Sequence, residues 1–311
     1  MTLTQLEYII ALDTHRHFVS ASEKCFVTQP TLSMQIQKLE EELGVKIFDR
    51  TKQPVIPTEI GASIIAQARV SLREAHMIID LINNQKDKMT GELRVGIIPT
   101  LAPYLLPPLF QQMREKYPQL NLVIKETITE EVIHELKNNR LDCGIVVTPL
   151  NDLSIKEDIL FYEELFVYVS RKNALYNKKY VLANEIDPNQ LWLLEEGHCF
   201  RSQVLNLCEL RKYSDQHFKY ETGNIETLKR MVDKSDGITI LPELAVMEFT
   251  QAQMKFVKKL KEPSPAREVS LVTHRDHLKT KLIKTLKEEI LTIVPKPMQK
   301  LQKKKVVEIN Y

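Results

Sequence analysis

The chain has 311 residues, 43% of them apolar and 27% charged, which excludes a largely disordered protein and suits about two or three domains. Pro99, Pro103, Pro107 and Pro108 interrupt the longest apolar run, so none reaches the roughly 18 residues of a membrane span, and Met1 to Tyr8 lacks the pattern of a secretory signal. A cytoplasmic protein without membrane contact is expected. A net charge of +2 neither demands nor forbids nucleic acid. Four cysteines without a CxxC pair exclude a disulfide scaffold and a zinc site, so neither metal nor cofactor is expected.

Residues 1–58 read as short helices with tight joints. Leu3, Leu6, Ile9, Ile10 and Leu12 repeat at helical spacing, and a short second helix over 19–24 follows a break at 15–18. Thr28 stands where an N-cap belongs, with Pro30 in the first turn of a third helix. Leu32, Ile36, Leu39 and Leu43 should form one buried stripe along it, ended by Gly44. Residues 45–57 then read as a hairpin or wing carrying Arg50 and Lys52.

From Thr58 the pattern changes. Ile60, Ile64, Ala68, Leu72, Ala75, Ile79 and Ile82 recur every three or four residues, which predicts a long helix. Its narrow seam suits pairing with another helix rather than capping a globular core. The polar stretch over 83–90 reads as a hinge. Beyond it, strand-like runs at 93–98, 120–125, 143–148, 159–169, 237–241 and 269–273 alternate with helical ones, including 105–116, 130–139 and 225–232. That alternation predicts parallel sheets with helices on both faces, and the length predicts two lobes. Ligands in such folds sit beyond the carboxyl ends of strands, which singles out Thr100 and Thr129. The basic, proline-interrupted tail over 295–311 reads as a mobile end. The expected fold class is α+β overall.

Three compact helices with Ala21 in the second fit a helix-turn-helix. With the apolar stripe facing inward, Gln29, Pro30, Ser33, Met34 and Gln37 fall on the outer faces of the third helix. Gln reads adenine edges, Ser pairs with base or phosphate, and Met or Pro meets thymine methyls. Arg50 and Lys52 would hold phosphate. Bulk charge argues the other way, because residues 1–60 carry six Lys or Arg against eight Asp or Glu. DNA binding would rest on the placement of a few charges.

The segment TQPTLSMQIQKLEEELGVKIFDRTKQPVIPTEIG, Thr28 to Gly61, resembles the winged helix-turn-helix signature of LysR-type transcriptional regulators. GITILPELA, Gly237 to Ala245, is similar to a second region of that family. The resemblance covers nearly the whole chain except the tail. It implies an all-α winged helix-turn-helix domain over 1–58, a linker or dimerisation helix and hinge over 59–90, and a two-lobed α/β regulatory domain over 91–294, similar to periplasmic binding proteins. A homodimer or homotetramer on partly palindromic promoter DNA is implied, without enzymatic activity. Gln29, Pro30, Ser33 and Met34 fall at the family's base-contacting positions, with Met34 replacing a frequent arginine.

A further segment, EEGHCFRSQVLNLCEL from Glu195 to Leu210, is similar to the redox loop of the peroxide-sensing members of this family. His198, Cys199, Arg201 and Cys208 match, and Ser202 stands in place of an aspartate. The resemblance implies hydrogen peroxide as effector, a reversible Cys199–Cys208 disulfide as switch, and the thioredoxin or glutathione system as reductant. It also implies Thr100, Thr129, His198 and Arg267 around the effector. The residue chemistry fits. Cationic His198 and Arg201 beside Cys199 favour the thiolate, and a sulfenic acid formed there condenses with a second thiol. If the segment is helical, nine residues separate the two cysteines by about 13 Å, beyond the roughly 7 Å a disulfide tolerates. Bonding would then require refolding.

The competing reading treats Leu205, Leu207 and Cys208 as core contacts, His198 as a surface histidine and Thr129 as a helix cap. Cys25 and Cys143 read as structural thiols. Two other functions stay open: a LysR-type regulator answering a small organic effector, and a thiol peroxidase, which the helix-turn-helix disfavours.

Overall fold

The computed structural model describes residues 1–85, 89–194, 199–208, 224–275, 277, 279–301 and 304–307, without the side chains at 73, 76–77 and 79–85. The chain divides into two units, Met1–Lys88 and Met89–Tyr311. Helices and strands are mixed, and no described helix is long and apolar enough to cross a membrane.

The first unit contains α1 (Leu3–His15), α2 (Phe18–Lys24) and α3 (Gln29–Leu43), a two-stranded wing of β1 (Phe48–Asp49) and β2 (Ile56–Pro57), and α4 (Glu59–Gln85). The caps follow local chemistry. Thr2 and Gln5 form a reciprocal capping box on α1, and Thr28 accepts the Thr31 N–H on α3 at 3.4 Å. Gly44 closes α3 with a φ of 69°. Leu32, Ile36 and Leu39 are fully buried, but Leu43 is exposed because the chain turns away at Gly44 and nothing covers the last turn of the stripe. Buried Glu40 accepts the Ile47 and Phe48 N–H groups at 2.9 and 3.2 Å and Arg50 Nη2 at 3.0 Å, which pins the wing to α3. Replacing Thr28 with Ala should cost the unit about 1 kcal/mol and Thr28→Ser much less, read as faster amide exchange in the first turn of α3.

The long helix corrects one expectation. Along the first half its seam residues Ala68 and Leu72, with Ile65 from beside the seam, are buried in one core with Leu6, Ile9 and Leu12 of α1, while Ile64 is half-buried and Ile60 stays exposed. The side chains of Ile79 and Ile82 lie outside the described residues.

The second unit runs through β3 (Gly91–Ile97), α5 (Ala102–Lys116), β4 (Leu120–Glu126), α6 (Thr129–Lys137), β5 (Cys143–Thr148), β6 (Ile155–Val169), β7 (Tyr180–Val181), α7 (Cys199–Leu207), α8 (Ile225–Lys234), β8 (Ile238–Pro242), α9 (Glu243–Met247), β9 (Val257–Leu260), β10 (Ser264–His274), α10 (Thr280–Ile293) and β11 (Lys304–Val306). Two hydrophobic cores mark two lobes, one around Leu93, Val95, Ile97, Ile145 and Val147, the other around Val167, Val169, Ile238 and Ile240. β3 pairs in parallel with β4 and β5, whereas β10 pairs antiparallel with both β5 and β6. The sheets are therefore mixed rather than parallel, because the chain returns from the second lobe along β10.

Strand β6 is shared. Leu160 and Phe161 belong to the first core and Leu165 onward to the second, so β6 crosses between lobes near Glu163. Its fifteen residues exceed the predicted run, because the polar start at 155–158 pairs with the end of β10.

The tail is not a mobile end where it is described. Met298 is 1% exposed within the first core, and β11 pairs in parallel with Ser264–Ala266. Val307 N–H donates to the Ala266 carbonyl at 2.8 Å, and Lys304 Nζ to the Tyr162 carbonyl at 3.0 Å. Residues 302–303 and 308–311 lie outside the described residues.

Candidate redox site and nucleic-acid interface

Three chain segments meet at one point of the second unit: the turn after β3, the start of α6 and the start of α7. Ile98, Pro99, Thr100, Ile128, Thr129, Cys199 and Phe200 line a cavity of about 10 Å³ there. That volume admits about one water-sized guest. The Thr129 hydroxyl donates to Cys199 Sγ at 3.7 Å. Thr129 is therefore no helix cap; Ile128 occupies the N-cap position of α6 and makes no side-chain bond there.

Arg267 of β10 lies beside this cavity and is fully buried. A buried guanidinium needs several fixed acceptors, and its planar fork finds them. Nε donates to Glu163 Oε2 at 2.7 Å, Nη1 to Thr100 Oγ1 at 2.8 Å, and Nη2 to the Thr100 carbonyl at 3.2 Å. The guanidinium carbon stands 5.1 Å from the Phe200 ring centroid. With Arg267 held on one lone pair of the Thr100 oxygen, the Thr100 O–H is left to donate elsewhere. Glu163 is the residue that sequence reasoning missed. Phe161, Glu163 and Leu165 alternate onto one strand face, and an acid in that apolar series signals a buried charge with a distant partner.

The electrostatics of Cys199 differ from the expectation. Burial pushes its pKa above the ordinary thiol value, against the hydrogen bond from Thr129 and the positive charge of Arg267. Arg201, expected as the activating neighbour, sends its Nη1 to the Leu194 carbonyl at 2.9 Å. Two residues on along the helix, Arg201 turns toward that carbonyl, so nearness in the chain does not by itself place a charge on the sulfur. His198 lies outside the described residues.

Cys199 opens α7 and Cys208 follows its last turn, bonded through its N–H to the Val204 carbonyl at 3.0 Å. The thiols are free and buried in different cores, Cys199 in that of the first lobe and Cys208 in that of the second. Burial alone pushes the Cys208 pKa to about 12. An unbroken helical rise over nine residues separates the two by about 13 Å. Leu205 and Leu207 do pack against the second core, as the competing reading expected. Cys143 is fully buried in β5, and Cys25 sits half-buried at the C-terminal cap of α2.

On the first unit, Gln29, Pro30 and Met34 are exposed on α3, Ser33 is half-buried and Lys52 is exposed on the wing. Arg50 already serves Glu40 and stands 5.5 Å over the Phe18 ring, so its charge is shared with the fold.

Residues 3–62 match the bacterial regulatory helix-turn-helix protein, lysR family, and residues 86–293 match the LysR substrate binding domain. The chain belongs to the LysR family. Among relatives of this LysR-family chain, the hydrogen peroxide-inducible genes activator of Haemophilus influenzae is 36% identical over 273 residues, spanning 88% of this chain and 90% of that protein. The DNA-binding transcriptional dual regulator OxyR of Escherichia coli K12 is likewise 36% identical, over 88% of this chain and 89% of its own length. Full-length OxyR from Pseudomonas aeruginosa superposes with a TM-score of 0.80 at 34% identity, covering 94% of this chain and 98% of that one.

Proposed function

We propose that this LysR-family chain is a hydrogen peroxide-responsive transcription regulator, in which reversible oxidation of Cys199 and Cys208 changes how a winged helix-turn-helix holds promoter DNA. The observation that carries this reading is the cavity at Cys199. It is lined by two threonine hydroxyls and a thiol and has room for about one water-sized guest. A peroxide-sized molecule suits that space and a metabolite of several heavy atoms does not. The names of the relatives, peroxide-inducible gene activators among them, support the same reading.

The geometry supports the following chemistry. The Cys199 thiolate attacks one peroxide oxygen, an S–O bond forms and the O–O bond breaks. Sulfur is oxidised by two electrons, and the other oxygen leaves as hydroxide, which takes up a proton to become water. Thr100, Thr129 and Arg267 supply donors and positive charge where that negative charge develops, and the resemblance adds His198, which lies outside the described residues, to the groups proposed to act on the effector. Cys208 thiol then condenses with the sulfenic acid, releasing a second water and forming the disulfide. Closing about 13 Å to disulfide distance requires α7 to unwind and at least one sulfur to leave its core, which turns a bond into a shape change. Thioredoxin or glutathione resets the switch if the disulfide potential lies above about −300 mV.

On DNA, Gln29, Pro30, Ser33 and Met34 read bases while Lys52, with what remains of Arg50's reach, holds phosphate. Ile60 and Ile78 stay exposed on α4 and suit a second copy of the chain in a homodimer or homotetramer. A gel-shift competition at physiological salt should show specific binding to a promoter site with half-sites about one or more helical turns apart. Equal competition by random DNA would end the DNA half of the proposal.

A second reading has one observation in its favour. A groove of about 960 Å³, bordered by Leu106, Phe110, Arg114 and Ile124, has the volume of a small-molecule site. An organic effector there would leave the response intact in Cys199→Ser protein.

A further inference from the structure

Arg267 does not hold itself in place. It sits on β10 directly across from Glu163 of β6, the residues being Cα partners in the ladder, and both side chains are 0% exposed. Glu163 makes two bonds of different origin. Its Oε2 accepts Arg267 Nε, and its Oε1 accepts the Leu244 N–H at 2.8 Å, at the start of α9. The neighbouring Glu164 N–H donates in turn to Glu243 Oε2 at 3.1 Å. The carboxylate is thus anchored to backbone independently of the arginine it serves. With Nε tied back toward β6, only the Nη edge of the fork remains for Thr100, and it takes up both the Thr100 hydroxyl and carbonyl.

We infer that Glu163 is a positioning residue for peroxide chemistry at Cys199, acting through Arg267 by fixing which edge of the guanidinium faces Thr100 and the cavity. The inference rests on the proposed peroxide reaction and adds the group that orients its main cation. Charge alone does not account for the arrangement. The Leu244 N–H satisfies the second carboxylate oxygen and ties it to backbone, so the carboxylate has a fixed place from which to orient the guanidinium. A displacement of about 1 Å in such a donor costs up to about 100-fold in rate.

The test uses the full-length reduced protein and two probes of Cys199, hydrogen peroxide and iodoacetamide, read by mass spectrometry. Glu163→Asp keeps the charge but withdraws the carboxylate by one methylene. It should remain folded, lower the second-order rate with peroxide about tenfold, and leave alkylation by iodoacetamide as fast as in the parent or faster. Glu163→Gln should lower the peroxide rate further. In an Arg267→Met background, Glu163→Asp should have no additional effect on the peroxide rate, because the residue it acts through is gone. General loosening of the site would instead raise both rates, in either background. Parent-like peroxide rates in Glu163→Asp, or a full additional loss in the Arg267→Met background, would overturn this inference alone. Failure of parent Cys199 to react with peroxide would overturn the underlying reading and the inference with it.

Discussion

Cys199→Ser protein should show no change in its DNA footprint after equimolar hydrogen peroxide, whereas the parent protein should lose two thiols and change its footprint. Cys208→Ser should behave differently from both: the sulfenic acid still forms at Cys199, lives longer, and can be trapped by a dimedone-type reagent. The asymmetry follows from the environments, since only Cys199 lines the cavity and feels Arg267, while Cys208 is held as a thiol by burial alone. The same electrostatics set the pH dependence. With the Cys199 pKa raised by burial, the thiolate is a minor species at neutral pH and its fraction grows with alkalinity. The peroxide rate should therefore rise about tenfold per pH unit between pH 6 and 8 without levelling off. A plateau near pH 6 would show a thiolate already formed. An unchanged peroxide response in Cys199→Ser would transfer the function to an organic effector.

The other large effect concerns stability. Arg267→Met should destabilise the regulatory unit by about 3–5 kcal/mol, because it leaves Glu163 as an uncompensated charge in a site that water does not reach. Arg267→Lys should recover only part of that, since one ammonium on a flexible stem cannot serve Glu163 and both Thr100 oxygens at once. Removing both charges, as Arg267→Met with Glu163→Leu, should return most of the stability while peroxide reactivity stays low. Urea unfolding of the reduced proteins measures the first quantity and thiol loss the second. Equal stability of the single and double variants would mean that the orphaned Glu163 carboxylate is not what destabilises Arg267→Met, and parent-like stability of Arg267→Met would mean that the ion pair contributes little to the fold.

Local features were legible in the sequence and distant ones were not. The third helix, its Thr28 cap and its Gly44 stop depend on neighbours within four residues, and periodicity finds them. Leu43 was misplaced because a stripe says which face is apolar but not where the covering partner ends. The tail was misjudged for a related reason. Lysines and prolines dominate its composition, yet Met298 and Val307 find partners in a core and on a strand that no local pattern reveals. At the site, Cys199, Thr100 and Thr129 could be picked out from chain position and resemblance. Glu163 could not, because the arginine that explains it lies 104 residues away. Adjacency in the chain points to His198 and Arg201 as the charges acting on Cys199; His198 lies outside the described residues, Arg201 reaches the Leu194 carbonyl, and the fold adds Arg267, which no local pattern reveals. The acidic excess of residues 1–60 is likewise partly internal to the fold. Glu40 and Asp13 are spent inside the unit, on the wing and on Arg16 and Arg69, and say little about the face turned to DNA.

The crossing strands β6 and β10 have a consequence for what kind of detector this molecule is. Two-lobed binding proteins report a ligand by swinging about such strands, so their signal tracks occupancy and fades as the ligand dilutes. Here the crossover is riveted by a buried cross-strand ion pair, and the chamber beside it is too small for a guest to prop the lobes apart. Under the proposed chemistry, nothing reversible is bound that could simply wash away. Under that chemistry the oxidised state outlasts the peroxide that formed it, so once peroxide is gone the decay of the response is set by the cell's thiol supply.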